Sequence, residues 1–527
     1  MASKKSYFES SDINFLTSTK TSPLFVVDLE AIRKQIASFQ QTFPYVKVYY
    51  ATKTNPLPAI IDTLLQLGVC FDVATLGEVK LLLDHGADPK NLLHTHPVKS
   101  EYEIAQSYGL GLRKFTFDSL SELKRLVELA PKSQYFLRIV PKVNASLYDY
   151  KKKFGASARE VTEILDFAVN KKISIAGISF MVGSQSLSVK PWQDVMSYVK
   201  SLLDKYYPLL PSLRTVNIGS GFPLPYGFKD TPSLDKISSV IKKSLRQFPK
   251  DIKVIAEPGR YIAGPSMILA TRVVQHLVRS GQHWLYVDAS AYSGLIEIIE
   301  SGNKFPFVVT ADKNGPDVPY MIAGQTMDPD DILGMQTKLS SKLTADDFIY
   351  LHDAGAYTTN FFTIYHSLSK PRVIICDSHY SKNVKLGRGT MGIKGLIANK
   401  NIPKGELIFS VTGAFTRKRT RTSFQVDDER HVEPNLYGAY LNHSCSPNAG
   451  VRTNANGQLD IVSLRDISMG GEVVVDYAMF EKETGPMSNV RCLCGAKDCR
   501  KKITGYKGLP RSKRKAYRGY VAAYLVK

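Results

Sequence analysis

Cysteine is scarce in this chain. Only six of its 527 residues are cysteine, and three of the six fall within RCLCGAKDCR at positions 491–500. Such scarcity excludes a small scaffold held by disulfides and is typical of a protein kept in a reducing compartment. Clustered thiols are instead typical of a metal site, and a closed structural zinc site needs four ligands. The segment therefore predicts a zinc site whose fourth ligand comes from elsewhere in the chain.

Long apolar runs are also missing. No stretch of eighteen apolar residues occurs, and the opening MASKKSYFESSDINF lacks the apolar core of a signal peptide. These absences exclude a membrane partner and predict a cytoplasmic location, with delivery to another compartment or a host cell left open. The composition, 43% hydrophobic and 22% charged, is that of a globular protein. A chain of 527 residues is too long for one core, so we expect about three to four domains.

Acidic residues are too few to balance the basic ones. The formal net charge is +21, and residues 377–527 contain 26 Lys and Arg against 13 Asp and Glu, an excess of 13. Such a field favours acidic partners, including nucleic acid and acidic protein surfaces. The alternative is that the charge serves solubility alone, because no base-reading motif accompanies it.

Eight β-rich segments alternate with segments of helical periodicity between residues 46 and 258. They are VKVYYA, VCFDVA, LLHTH, KFTFD, YFLRIV, GISFMV, TVNIGS and KVIAEPG. Eight strands that are each followed by a helix form a closed (β/α)8 barrel, whose chemistry lies at the C-terminal strand ends. Polar residues fall at or just past these ends: Lys53, Asp72, His96, Asp118, Arg138, Ser184, Gly219, Gly221 and Glu257. Each alone reads as a loop or cap residue, but together they predict one site.

Seven ordered segments carry a family resemblance: VYYATKTNP, FDVATLGE, TFDS, KKFGA, NIGSGFP, AEPGRYIAG and HDAGAYT. They resemble the fold-type-III, pyridoxal-phosphate-dependent ornithine/diaminopimelate/arginine decarboxylases. The resemblance spans roughly residues 20–375. It implies an α/β fold with an alanine-racemase-like (β/α)8 barrel and a β-rich C-terminal domain, and it implies decarboxylation of a small basic amino acid.

The same resemblance implies a site for pyridoxal 5′-phosphate. Lys53 matches the lysine that forms a Schiff base with the cofactor, and Glu257 matches the carboxylate beside the pyridine nitrogen. A Gly-rich turn lets backbone N–H groups approach a phosphate, with a hydroxyl and an arginine as further contacts. The remaining cofactor matches are Ser184, Gly219, Gly221, Arg260 and Tyr357.

The segment GQTMD adds a prediction about assembly. Asp328 matches the residue that reaches into the partner subunit's site and meets the substrate's distal amine, which implies a head-to-tail homodimer.

Three positions depart from the decarboxylase family. Met181 replaces the usual ring-stacking histidine, Met327 replaces a proton-donating cysteine, and Ser220 interrupts a glycine triplet. Because a thioether cannot donate a proton, these departures leave open a catalytically weak, decarboxylase-like dimerisation scaffold.

Beyond about residue 376 the β/α alternation ends, and short β-rich runs follow. GIKGLIANKNIPKGELI, YLNHSCSPNAG and GGEVVVDYAMFE resemble, in order, the motifs of SET-domain protein lysine methyltransferases over roughly residues 380–500. The resemblance implies S-adenosylmethionine as methyl donor and a protein lysine substrate, which a histone-like protein would offer. Tyr477 matches the catalytic tyrosine of the family. The donor contacts are matched by Lys394, Gly395, Asn442 and His443.

The SET resemblance also supplies the missing zinc ligand. In SET proteins with a post-SET segment, a Cys-x-Cys-x4-Cys pattern binds one zinc ion together with the cysteine of the Asn-His-Ser-Cys motif. This implies the ligand set Cys445, Cys492, Cys494 and Cys499, and the alternative is four unpaired buried thiols.

Two positions depart from the SET motifs. Ile393 stands where the first glycine of Gly-x-Gly is usual, and Val411 stands where a tyrosine commonly begins Tyr-x-Gly.

We therefore predict a PLP-binding barrel over residues 1–260, whose N-terminal residues join the β domain, and a β-rich decarboxylase domain over 261–376. A β-rich SET domain over 377–485 and a post-SET zinc segment with a basic tail over 486–527 follow. The predicted function is a basic amino-acid decarboxylase fused to a protein lysine methyltransferase. The alternatives are a methyltransferase carried on a weak decarboxylase-like scaffold, and a nucleic-acid-associated protein that uses its basic, tyrosine-containing tail.

Overall fold

The structure is a computed structural model that describes residues 22–141, 146–148, 153–302, 305–454, 457–483 and 490–526. It divides into two compact units. The barrel unit comprises residues 31–56 and 60–371, and the C-terminal unit comprises the described parts of 1–30, 57–59 and 372–527. The predicted domain boundaries at 260 and 376 stay predictions, and the one at 485 lies outside the described residues. No helix in the described ranges combines the length and apolarity needed to cross a membrane.

Eight parallel strands of the barrel unit pair in chain order, and the last pairs with the first to close a barrel. They are Val46–Ala51, Cys70–Val73, Leu92–His94, Lys114–Phe117, Gln134–Ile139, Ile175–Phe180, Thr215–Asn217 and Lys253–Ala256. Buried parallel strands are apolar along nearly their whole length, which explains these runs. Tyr49, Cys70, Leu93, Phe136 and Ile255 come from five of these strands and form one buried cluster. The predicted (β/α)8 barrel is confirmed.

The helices that alternate with these strands begin where the sequence supplies a cap. The side chains of Thr75, Ser100, Ser119, Ser157 and Ser233 each accept a hydrogen bond from the backbone N–H three residues on. These bonds satisfy donors that the first helical turn leaves free. The helices up to residue 300 are Leu29–Thr42, Pro58–Gln66, Leu76–Asp84, Glu101–Gly109, Leu120–Leu129, Ala158–Asn170, Lys190–Tyr206, Leu234–Leu245, Arg260–Ala263 and Ile296–Glu300.

A β-rich part of the barrel unit follows the last barrel strand, as predicted. Its six strands pair in the order Val309–Ala311, Phe348–Leu351, Met267–Arg279, Gln282–Val287, Asp317–Ala323 and Ile332–Ser340. Ser280 and Gly281 connect two of these strands with φ of +48° and +78°. Two residues of positive φ are the mark of a type I′ hairpin turn, which matches the twist of the flanking strands. A separate antiparallel pair joins Ser146–Tyr148 to Ser184–Ser186.

The C-terminal unit is built from small sheets, as its β-rich runs predict. One sheet has the order Val384–Arg388, Lys394–Ala398, Glu472–Val475 and Asn442–His443. The other strands are Leu407–Val411, Leu459–Ser463 and Ala449–Thr453; Gly413–Thr416, His431–Pro434 and Phe424–Gln425; and the parallel pair Leu24–Asp28 and Arg372–Cys376. Its α-helices are Leu436–Ala439 and Arg511–Ala516. One hydrophobic core packs the sheets together and includes Leu396, Phe409, Val432, Ile461 and Val473.

Short 3₁₀ helices complete both units, and two of them carry predicted site residues. They are Thr52–Thr54, Pro89–Asn91, Gly264–Ser266, Thr359–Phe361, Tyr365–Ser367, Ser378–Tyr380, Tyr477–Met479, Tyr506–Gly508 and Ala523–Leu525.

Candidate functional sites

A cavity of about 310 Å³ opens at the C-terminal strand ends of the barrel unit. Lys53, Glu257 and Tyr357 line it. Lys53 lies two residues past the strand Val46–Ala51, and Glu257 directly follows Lys253–Ala256. A cavity of this size takes a small cofactor or substrate. The closed barrel thus brings together residues that are about two hundred positions apart in the chain, as parallel strands with a common C-terminal edge must do.

Lys53 stands in this cavity beside a buried carboxylate. Its Nζ lies 3.0 Å from Oδ2 of Asp72. The lysine side chain is 44% exposed, whereas Asp72 is 1% exposed and also accepts a short hydrogen bond from the hydroxyl of Thr95. Burial is the largest single influence and lowers the pKa of Lys53, but Asp72, Tyr357 and Glu257 together outweigh it, and the pKa is raised overall. The amine is therefore held as an ammonium that donates a hydrogen bond to Asp72.

Glu257 places a buried carboxyl group in the cavity wall. Asn217 donates a short hydrogen bond to this carboxyl, and its own side-chain oxygen accepts the backbone N–H of Gly219 at 2.9 Å. Burial raises the pKa of Glu257, and the nearby charge of Asp72 raises it further. A carboxyl group with a raised pKa is suited to sharing a proton with a neighbouring base.

The turn at 219–221 is glycine at both ends for steric reasons. Gly219 and Gly221 have φ of +64° and +107°, a conformation that side chains disfavour. A Cβ on Gly219 would lie 1.9 Å from the carbonyl oxygen of Phe180, and one on Gly221 would lie 2.5 Å from that of Gly183. The residue between them lines the cavity. The turn therefore brings bare backbone to the cavity edge, as the predicted phosphate contact requires.

Arg260 lies at this site with its guanidinium already engaged. Nη1 donates to Oε2 of Glu297 at 2.7 Å, and Nη2 makes a short bond to the other carboxylate oxygen. Nη2 also donates to Oγ of Ser184 at 3.0 Å, and the guanidinium carbon lies 5.0 Å from the ring centre of Tyr357. Arg260 and Glu297 are 3% and 5% exposed. The structure thus brings Arg260, Ser184 and Tyr357 together, with an added carboxylate.

The sequence reasoning missed two acidic residues of this cavity. Glu297 and Glu300 lie one turn apart on the helix Ile296–Glu300, and both line the cavity. Burial raises the pKa of Glu300, and the Glu297 carboxylate adds to the rise. The acidic pair was visible in the segment IEIIE, but no local signal says that this short helix faces the barrel mouth.

The two unusual methionines occupy different places. Met181 lines the cavity, and its Sδ lies 3.9 Å from a guanidinium nitrogen of Arg138. Met327 is 90% exposed, and the neighbouring Asp328 accepts the backbone N–H of Asp330 at 2.8 Å. Neither Met327 nor Asp328 is among the residues that line the cavity of this chain. The expectation that Asp328 completes the site of a second copy stays a prediction.

Four residues predicted to contact a methyl donor meet in one sheet of the C-terminal unit. They lie on the strands Lys394–Ala398 and Asn442–His443, which flank Glu472–Val475. The amide nitrogen of Asn442 donates to the carbonyl oxygen of Lys394 at 3.0 Å. The four residues are Lys394, Gly395, Asn442 and His443.

Glu472 is a buried carboxylate that holds this group together, and the sequence reasoning missed it. Its Oε1 accepts the amide N–H of Asn442 at 2.8 Å, and its Oε2 accepts both the backbone N–H and the hydroxyl of Thr390 at 2.7 and 2.8 Å. A Cβ on Gly395 would lie 2.6 Å from the Asn442 amide and 2.7 Å from this carboxylate. A side chain at position 395 would therefore displace the Asn442 amide or the Glu472 carboxylate.

Tyr477 follows the central strand of this sheet, in the 3₁₀ turn Tyr477–Met479. Its hydroxyl donates to the carbonyl oxygen of Leu441 at 2.9 Å, and its backbone N–H donates to Nδ1 of His443 at 3.2 Å. Burial raises the pKa of Tyr477 to about 12, although the charge of Arg421 acts in the opposite direction. The phenol thus stays protonated and fixed in place at neutral pH.

Four thiols converge close to this tyrosine. Their sulfur atoms all lie within 4.8 Å of one another, and those of Cys445 and Cys492 are 3.8 Å apart. Four thiolates at about 2.3 Å from a zinc ion lie about 3.8 Å from one another in a tetrahedron, so the spacing fits this metal. The same spacing is far too long for disulfides. The four are Cys445, Cys492, Cys494 and Cys499, the set that the sequence predicts.

Arg500 connects the thiol cluster to the residue before the tyrosine. Its guanidinium makes two hydrogen bonds of 2.6 and 2.7 Å to the fully buried carboxylate of Asp476. Its backbone N–H donates to Sγ of Cys445 at 3.4 Å. The hydroxyl of Tyr517 adds a third bond to Asp476 at 3.1 Å. The segment that bears the thiols is therefore tied to the strand end that bears Tyr477.

Comparison with known proteins finds two separate matches along the chain. The family model of the pyridoxal-dependent decarboxylase, pyridoxal binding domain, matches residues 29–264. The SET domain model matches residues 394–478. Both sets of residues described above fall largely within these two ranges.

Several known decarboxylases are similar to the part of the chain that contains the first match. A lysine/ornithine decarboxylase of Selenomonas ruminantium is 28% identical over 348 residues, covering 66% of this chain and 88% of its own length. The structure of the Vibrio vulnificus lysine/ornithine decarboxylase complexed with cadaverine superposes with a TM-score of 0.63 at 28% identity, covering 70% of this chain and 99% of that one. An arginine decarboxylase of Paramecium bursaria Chlorella virus, bound to agmatine, gives 0.63 at 25% identity, covering 69% and 99%.

Proposed function

The chain belongs to the pyridoxal-dependent decarboxylases over residues 29–264 and carries a SET domain over residues 394–478, and from this we propose that it is a bifunctional enzyme. The barrel unit decarboxylates a basic amino acid with pyridoxal phosphate as cofactor. The C-terminal unit transfers a methyl group from S-adenosylmethionine to a protein lysine. The main observation in support of the decarboxylase activity is the position of the Lys53 ammonium in the cavity. Its Nζ lies 3.0 Å from the carboxylate of the buried Asp72.

The cavity residues fit the aldehyde and ring of this cofactor. Lys53 offers the amine, Glu257 offers a buried carboxyl group for the ring nitrogen, and the turn at 219–221 offers bare backbone. When bound, the cofactor supplies an aldehyde and an electron-accepting ring. Asp72 positions the Lys53 amine, whose Nζ lies 3.0 Å from its carboxylate and which must lose a proton before it acts as a nucleophile. The buried carboxyl of Glu257 keeps a proton available on the ring side, because burial raises its pKa.

A basic amino acid is the substrate class that the acidic cavity supports. The relatives named above act on lysine and ornithine, or on arginine, by their names. In this chain Glu300 lines the cavity and offers a carboxylate to a distal ammonium or guanidinium group. Asp328 of a second copy is the other proposed partner for that cation, in a head-to-tail homodimer.

Lys53→Ala tests cofactor binding. After removal of unbound pyridoxal phosphate, the wild-type protein is expected to retain a cofactor absorbance band that the variant lacks, since Lys53 is the only lysine among the described residues that line the cavity. Release of CO₂ from lysine, ornithine, arginine and diaminopimelate then tests turnover and identifies the preferred substrate. A wild-type protein without the band contradicts the proposal.

A scaffold without efficient turnover is the second candidate for the barrel unit. The observation that favours it is Met181, a thioether in the cavity wall where a proton donor or stacking imidazole is usual in the family. Met327 likewise offers no proton. A protein that shows the cofactor band but releases no CO₂ from any of the four amino acids would support the scaffold and contradict the decarboxylase.

Methyl transfer by the C-terminal unit is supported by the placement of Tyr477. Its fixed hydroxyl lies beside the group formed by Asn442 and His443, where it can orient a lysine amine and exclude water from it. Labelled S-adenosylmethionine incubated with the protein and a mixed protein extract is expected to yield labelled lysine. Tyr477→Phe keeps the ring and removes the hydroxyl, so we expect it to lose most of the label. Equal labelling by the variant contradicts this role.

Zinc is proposed for the four-thiol cluster. A closed tetrahedral site of four thiolates is a structural site rather than a catalytic one, because it leaves no position for water or substrate. Metal analysis of the purified protein is expected to find about one zinc ion per chain. Cys499→Ser is expected to lower this content, whereas a fully metal-free protein with an intact C-terminal unit contradicts the proposal.

A further inference from the structure

The cationic group expected to hold the cofactor phosphate already has an anion in contact. Both terminal nitrogens of Arg260 bond to the Glu297 carboxylate, and one of them also bonds to Ser184. Arginine recognises carboxylate and phosphate through the same forked pair of N–H groups. A phosphate can therefore use this fork only in place of the carboxylate or by sharing it.

The charge balance at this place is unfavourable for a second anion. The positive charge of Arg260 and the negative charge of Glu297 cancel, and both side chains are more than nine-tenths buried. A phosphate monoester carries a charge of about −1.5 to −2 at neutral pH, and like charges in a buried site repel strongly. Nε of Arg260 is also buried and has no hydrogen-bond partner within the described part of the chain. The Nε–H group of Arg260 is thus a hydrogen-bond donor that Glu297 does not use.

We propose that Glu297 is an internal competitor for the cofactor phosphate at Arg260, so that this cavity distinguishes phosphorylated from unphosphorylated aldehydes only weakly. The inference rests on the proposed function, because it assumes that the cavity binds a pyridoxal compound. The neighbouring Glu300 lies one turn further along the same helix with its side chain exposed, and it makes no hydrogen bond or ion pair with Arg260 among the described residues. Its charge acts on Arg260 only at longer range, so we expect a smaller influence on a bound phosphate. Glu300 therefore provides a control with the same change of charge at an exposed position.

Titration of the full-length protein with pyridoxal 5′-phosphate and with pyridoxal tests the proposal, with the bound-aldehyde absorbance as readout and no turnover required. Glu297→Gln keeps the side-chain size and removes the charge. We expect its Kd for pyridoxal 5′-phosphate to fall about tenfold or more and its Kd for pyridoxal to change by less than about twofold. Glu300→Gln is expected to change the ratio of the two constants by less than about twofold. A ratio that is the same in wild type and Glu297→Gln overturns the proposal.

Glu297→Gln removes the buried charge partner of Arg260 and can prevent folding, so a second variant is needed. Glu297→Asp keeps a carboxylate but withdraws it by one methylene, and we expect it to shift the ratio in the same direction by a smaller factor. An unchanged ratio in Glu297→Asp, with Glu297→Gln unfolded, also overturns the proposal. Absence of aldehyde binding in both wild type and Lys53→Ala overturns the proposed function and this inference together, whereas binding in wild type with no effect of either Glu297 variant overturns this inference alone.

Discussion

At the scale of single residues, Gly219 is the sharpest example of a position fixed by space. Its φ of +64° strains any side chain, and an added Cβ would lie 1.9 Å from the carbonyl oxygen of Phe180. We expect Gly219→Ala to lower the stability of the barrel unit by about 3 kcal/mol or more and to weaken binding of pyridoxal phosphate, because the turn must move. Denaturant unfolding and cofactor titration measure the two effects.

Gly86 separates backbone strain from steric clash in this experiment. It has φ of +85°, and a Cβ there meets no atom within 4 Å. Gly86→Ala therefore carries the strain of the left-handed conformation alone, about 1 kcal/mol. Equal losses of stability in the two variants would show that the carbonyl of Phe180 does not confine the turn.

A single buried carboxyl group predicts a pH dependence in the C-terminal unit. Glu481 is 2% exposed, and burial raises its pKa from 4.5 to about 7 against the opposing charge of Arg419. Between these values the folded state keeps a proton that the unfolded state releases, so stability falls as pH rises from about 4.5 to about 7. The loss is about 3 kcal/mol at most. Glu481→Gln should flatten the dependence in unfolding experiments at pH 5 and pH 8, and an equally steep variant would contradict this origin.

Residues at strand ends were readable from the sequence, whereas their partners across the fold were not. Lys53 and Glu257 were predicted because each falls at or just past the end of a β-rich run. Glu297 and Glu472 were missed because their roles depend on Arg260 and Thr390, which are 37 and 82 residues away in the chain. Local patterns carry no information on such tertiary pairings, and an acidic residue in a short helix or strand usually faces solvent.

At the scale of elements, the sequence predicts best those segments that are buried on both sides. All eight β-rich runs became barrel strands, and the short β-rich runs predicted beyond residue 376 became strands of the C-terminal unit. The short pair formed by Ser146–Tyr148 and Ser184–Ser186, which joins polar segments, has no apolar alternation that would announce it. Nor does the helix Ile296–Glu300, which is too short for a helical period to be recognised.

The segment 490–526 has little regular secondary structure, and its α-helix has only six residues, Arg511–Ala516. Its C-terminal part packs into the core through Leu509, Tyr517 and Val521, whereas the part that bears the thiols depends more on side-chain tethers. Two tethers are the thiol cluster and the Arg500–Asp476 pair. We expect removal of the proposed zinc ion by a chelator to speed amide hydrogen exchange in this segment and in Tyr477–Met479, while the barrel strands keep their protection. Exchange measured by mass spectrometry checks this, and unchanged protection of 490–526 after complete metal removal would contradict it.

At the scale of the whole molecule, the two sets of predicted residues do not mix. The residues predicted to hold pyridoxal phosphate, from Lys53 to Tyr357, all belong to the barrel unit. The residues predicted to hold the methyl donor or zinc, and the predicted catalytic Tyr477, all belong to the C-terminal unit. Each unit also has its own buried cluster of apolar residues. Units with separate cores and separate ligands are expected to unfold in separate transitions, so that no single stability describes the chain.

Ligand-specific stabilisation tests this separation. A ligand that binds only the folded form of one unit raises that unit's stability by about 2.7 kcal/mol at a hundredfold excess over its Kd. We therefore expect pyridoxal phosphate to raise the midpoint of one thermal transition and S-adenosylmethionine to raise the midpoint of the other. Lys53→Ala should abolish the first shift and leave the second intact, because none of the predicted donor residues lies in the barrel unit. A single transition that responds to both ligands, in calorimetry of the full-length chain, would show that the two units are one cooperative body and that binding in either stabilises both.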